Sequence, residues 1–168
     1  MARVQPLNPD LTGVRDLLAM LPSFQRFVGV RADNRAAAAD LVYAFTIERD
    51  DSDKLPDAMA ILDYGENYVY ARNAINNRAG REVEPEIAVL FFRPRQGDEQ
   101  QSSHNALVGM DNAIEAIIAD LFTYHEQAEF EIASVRRISP EQAQEYERDE
   151  WDGVLSGILI AGVLRGDG

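Results

Sequence analysis

A chain of 168 residues, 46% apolar and 27% charged, suffices for one hydrophobic core and is short for two domains, which excludes a wholly disordered protein. Its 29 acidic residues against 16 basic ones give a formal charge of -13, so the bulk surface repels nucleic acid and acidic membranes and a DNA-wrapping role is excluded. With no cysteine there are no disulfides, thiolate nucleophiles or thiolate zinc sites.

The charge is uneven. Residues 1–50 are neutral overall, with six basic and six acidic side chains, 51–100 carry -4, and 101–168, with four basic and thirteen acidic, carry -9. The longest apolar run, Gly157 to Leu164, is well below the roughly 20 residues a membrane helix needs, and the run from Leu17 to Leu21 is too short and too late for a secretory signal. The expectation is a chain that neither crosses nor binds a membrane.

In chain order, Pro9 opens a helix over about 9–20, where Leu11, Val14, Leu17, Leu18 and Leu21 recur at intervals of three and four before Pro22. One or two further turns follow over 23–29, with Phe24, Phe27 and Val28 on one side and Gly29 as terminator. Asp33 or Asn34 can cap a helical piece through the alanines at 36–39, and β-branched and aromatic residues from Leu41 to Ile47 then favour a strand. Residues 49–57 read as a solvated connection. Residues 58–72 read as a hairpin turning at Gly65, and 73–85 as a polar excursion.

The segment from Ile87 to Arg93 is apolar at alternate and intervening positions alike, which predicts an inner strand covered on both faces. After a loop at 96–103, Leu107, Met110, Ile114, Ile117, Leu121 and Tyr124, widened by Ile118 and Phe122, predict a long helix over about 104–127. Strands are expected over 129–139 and 151–164, separated by a charged linker at 140–150. In the last strand the odd positions from Trp151 to Val163 mix large with small residues. The even positions Val154, Ile158, Ile160 and Leu164 are bulky. Small residues admit a helix closely, so the bulky face calls for a second cover, which a neighbouring subunit can supply. No internal repeat or low-complexity stretch is visible.

The expected fold is therefore a single α+β domain spanning 1–168, a mainly antiparallel or mixed sheet of four to five strands beneath the long helix and the N-terminal helices.

The chain carries no glycine-rich phosphate loop, no Gly-x-Ser-x-Gly elbow and no His-Glu-x-x-His, and the expectation is of no catalytic residue, metal or cofactor. His104 and His125 stand at opposite ends of one helix, about 31 Å apart by the rise per residue, too far to share a metal. The acids at 82–86 and 145–150 suit solvated loops better than a cation site. Asp63, at a strand end beside Tyr64, suits a turn better than a catalytic carboxylate. Tyr64, Tyr68 and Tyr70 fit cross-strand packing better than a nucleic-acid stacking platform, since only Arg72 and Arg78 stand near them.

The order of elements resembles small virion proteins of tailed bacteriophages, the tail-terminator or tail-completion family in particular. The likeness lies in a leading helix ending in Leu-Pro-Ser-Phe-Gln-Arg-Phe-Val-Gly-Val (21–30), the alanine piece (36–39), Ala-Ile-Leu-Asp-Tyr (60–64), the inner strand (87–92), the helix at 104–127, and a closing strand begun by Trp151-Asp152-Gly153. The resemblance implies a non-enzymatic ring, typically of six copies. Such a ring caps the tail tube, meets a neck or head-completion protein, and passes DNA through its lumen without specific binding. It implies a place in the tail or neck of the virion after assembly in the host cytoplasm. Other head–tail joining roles (head closure, neck, tube-related) share that architecture, and a monomeric acidic binding module or inhibitor and a small enzyme using Asp63 or the 82–86 acids stay open. The subunit-interface candidates are Val154, Ile158, Ile160 and Leu164, with Phe24 and Phe27 as a second patch; an intramolecular core would use the same residues.

Overall fold

The computed structural model describes residues 9–44, 58–65, 68, 85–94, 103–145 and 153–164. Helix α1 (Pro9–Met20) opens at its proline and buries Leu11, Val14, Leu17 and Leu18. Leu21, held extended ahead of a proline, separates it from α2 (Pro22–Val28), so Pro22 begins a second helix as well as ending the first. Helix α2 stops at Gly29, whose φ of 76° places it in the left-handed region while the Val30 amide reaches back to the Gln25 carbonyl at 3.0 Å. Of the two candidate caps for α3 (Arg35–Ala39), Asn34 is the one used: its side chain accepts from the Ala37 amide at 3.1 Å.

Five strands follow: β1 (Val42–Ala44), β2 (Met59–Tyr64), β3 (Glu86–Pro94), then, beyond the long helix α4 (Ser103–Tyr124) and a 3-10 turn (His125–Gln127), β4 (Phe130–Arg137), and, after a short helix α5 (Pro140–Gln144), β5 (Gly153–Leu164). The sheet order is β1-β2-β3-β5-β4, with β1 parallel to β2 and every other pair antiparallel. This is an α+β fold with a mixed sheet and a long covering helix.

Strand β3 lies in the middle of the sheet and is buried on both faces, as its continuous apolar run requires. On one side Ile87, Val89 and Phe91 join Ala60, Leu62, Val154, Ile158 and Ile160 in the main core with residues of α1, α2 and α4. On the other, Ala88, Leu90 and Phe92 join Met59, Ile61 and Leu159 with Ile138 and Ala143. A strand of bare apolar sequence thus separates two cores.

Three expectations are corrected. Residues 58–72 do not form a hairpin: β2 is already paired on both edges, by β1 and β3, and Tyr68 is helical, its amide bonded to the Gly65 carbonyl at 3.1 Å. The linker at 140–150 begins as a helix. Ser139 accepts from the Gln142 amide at 3.2 Å while the Gln142 side chain accepts from the Ser139 amide at 3.3 Å, a reciprocal cap that Ser-Pro-Glu-Gln spells out.

The third correction reverses the faces of the closing strand. Val154, Ile158 and Ile160 are buried in the main core under the helices, while the odd face, with Gly157 and Leu159, lies against Ile138 and α5. The small residues admit β-strand neighbours and a short helix, not the long one. At Gly157 a Cβ would fall 2.5 Å from the Val89 carbonyl oxygen and 3.0 Å from Ile138 Cδ1, so only glycine fits there. The excursion at 49–57, that at 73–85 up to residue 84, the loop at 96–102, Tyr70, and the whole of 146–152 with Trp151 lie outside the described residues.

Candidate assembly surface

The interface candidates divide by burial. Val154, Ile158 and Ile160 are core, and Phe24 is wholly enclosed. Phe24, Phe27 and Phe91 form a ring cluster, with centroids 6.3 Å apart for Phe24–Phe27 and Phe24–Phe91 and 5.8 Å, edge-on, for Phe27–Phe91. Phe27 is half-buried against that cluster and not a free patch. Leu164 stands in register with Phe130 at the end of β5, and its side chain lies outside the described residues. Since one chain already encloses Val154, Ile158 and Ile160, the requirement for a neighbour to cover this face disappears.

The candidate chemical groups are also accounted for by local structure. Asp63 is a strand residue, not a turn residue: it pairs with Ala88 in the sheet and its carboxylate accepts from the Tyr64 amide at 2.7 Å. Tyr64 and Tyr68 stack with centroids 4.2 Å apart, and the Tyr68 hydroxyl donates to the buried Asp10 carboxylate, which leaves no open ring face for a base at Tyr68. Glu86 bonds Arg136 at 3.3 Å. His125 lies in the 3-10 turn beyond α4, edge-on to Phe122. Among the described residues no three His, Asp or Glu side chains converge as a metal site would need, and no helix is long and apolar enough to cross a membrane.

Two open clefts of about 510 and 520 Å³ flank the helices. The first lies between α2 and α4, lined by Ser23, Arg26, Phe27, Arg93, Ala113 and Ala116. Small side chains on α4 leave this space, and the Asp120 carboxylate, accepting from the Ser23 amide at 2.9 Å, closes the helices together beside it.

The surface that sequence reasoning missed is on α4. Leu107, Val108 and Phe122 are 56%, 43% and 49% exposed, and they are the large exposed hydrophobics among the described residues. Leu107 and Phe122 were expected in the buried stripe. Met110, Ile114, Ile117 and Leu121 do fill that stripe, but Phe122 stands about 100° round the helix from Leu121 and Leu107 lies in the first turns, beyond the fully buried positions. The signal was the width of the apolar arc, greater than one sheet contact uses.

Comparison of the chain with protein-family models, with curated proteins and with solved structures returns no match.

Proposed function

We propose that this chain is a structural subunit of a tailed-phage virion, a ring-forming protein of the tail-terminator or tail-completion kind that closes the tail tube and joins it to the neck or head. The observation that supports this reading is the order of elements on which the resemblance rests: two leading helices with the Leu-Pro junction, the alanine helix α3, β2, the inner strand β3, the long α4 and the closing β5. The closing strand no longer contributes, because its bulky face is core. Instead, the exposed apolar residues of α4 supply a surface for assembly, and the described groups suit packing and capping better than catalysis. Within this reading, the carboxylates that give the chain -13 would let DNA slide through a lumen without adhering.

Electron microscopy of the purified chain tests it. Annular particles with an open centre are expected; a field of uniform 18.8 kDa particles without annuli would overturn it.

A further inference from the structure

We propose that the cleft between α2 and α4 is a binding site for a small organic anion, one that carries a phosphate or carboxylate group on an apolar body. The inference stands apart from the ring reading and does not depend on it.

Charge sets this cleft apart. In a chain with 29 acidic residues against 16 basic ones, the described residues that line it include two arginines, Arg26 from α2 and Arg93 from the end of β3, and no acid. The cleft beside α1 shows the contrast: there Arg35 shares the wall with Asp16 and Glu129, so the charges offset. A cleft bordered by two guanidiniums and no carboxylate attracts an anion, and the planar forks of arginine match the paired oxygens of a phosphate or carboxylate.

Ser23 adds a donor to the same wall. The residue is 6% exposed, its amide is committed to the Asp120 carboxylate at 2.9 Å, and its buried hydroxyl has no hydrogen-bond partner among the described residues. A buried hydroxyl left without a partner is destabilising, and an accepting oxygen of a ligand relieves it.

The space itself has a local cause. Gly109, Ala113 and Ala116 follow one another on α4 at intervals of four and three, on one face of the helix. A Cβ at Gly109 would touch Arg93 Nη1, 3.5 Å away, so this guanidinium lies against bare helix backbone. The volume of about 510 Å³ is that of a small-molecule pocket. Phe27 with Ala113 and Ala116 gives it an apolar wall. A bare ion would use the arginines and leave that wall in water, whereas an aromatic or short aliphatic body covers it.

Calorimetric titration of the whole chain at fixed ionic strength with inorganic phosphate, phenyl phosphate and benzoate tests the site, each variant being checked for a native circular dichroism spectrum. Saturable binding is expected, tighter for an aryl anion than for inorganic phosphate; the tighter of the two aryl anions identifies the charged group. Arg26→Gln, a change at an exposed position, is expected to raise the Kd by about tenfold. Ala113→Leu, which fills the space and keeps both arginines, is expected to remove the preference for an aryl anion; if it fails to fold, Arg26→Gln decides alone. Arg35→Gln, in the other cleft, is expected to change neither. Absence of saturable heat with all three anions, binding that survives Arg26→Gln, or an equal loss with Arg35→Gln would overturn the site.

Discussion

Asp10 and Tyr68, 58 positions apart in sequence, meet in a buried hydrogen bond of 2.5 Å that ties the first turn of α1 to the segment beyond β2. The carboxylate is almost wholly enclosed, and a buried charge is retained only where donors compensate its lost hydration. Tyr68→Phe keeps the ring stacked on Tyr64 and removes the donor. A loss of roughly 1–3 kcal/mol is expected, measured as a lower urea midpoint with an unchanged slope. An unaltered midpoint would show that the bond carries no net stability.

Ile158 marks the reversal of the closing strand's faces. Wholly enclosed beneath the helices, it should behave as core: Ile158→Ala should cost about 2–5 kcal/mol in unfolding experiments whatever the protein concentration. A subunit contact would behave differently, leaving monomer stability intact and lowering only the assembled mass.

Ser139 and Gln142 make the short helix α5 possible, and α5 brings Ala143 onto the second core. Ser139→Ala should therefore destabilise the protein by about 0.5–2 kcal/mol. Hydrogen exchange should show the effect concentrated at the Ala143 amide, with that of β3 protected as before. Uniform loosening of both cores would contradict the local role.

Gly29 ends α2 at a φ of 76°, with open space where a side chain would stand. Gly29→Ala should cost about 1 kcal/mol through backbone strain alone. Thermal unfolding reads this out, and Gly29→Asn, which tolerates the left-handed region better, should recover part of the loss. Equal losses for both would point to a different cause.

What the sequence made legible follows from how local the cause was. Pro9, the leucines of α1, Asn34 and Gly29 act within a turn or two, and the elements they mark stand where their pattern places them. The run from Ile87 to Phe92 announced a two-sided strand because no residue in it is polar. Pairing was not legible in the same way. Gly65 looks like a hairpin turn from either side, yet β2 takes β1, which ends at Ala44, and β3, which begins only at Glu86, in place of the segment just beyond the glycine. The faces of β5 could not be assigned from size alone, since Gly157 serves a close strand and Ile138 instead of the long helix. The exposed arc of α4 was hidden for a related reason: an amphipathic stripe records that residues are apolar, and only the extent of the surface beneath decides which of them it covers.

The native mass of the wild-type chain at micromolar concentration is the most direct test. A closed assembly is predicted, near 113 kDa for six copies of 18.8 kDa, dispersing to single chains when Phe122 is replaced by arginine. A wild-type mass that stays at 18.8 kDa across the concentration range would contradict it.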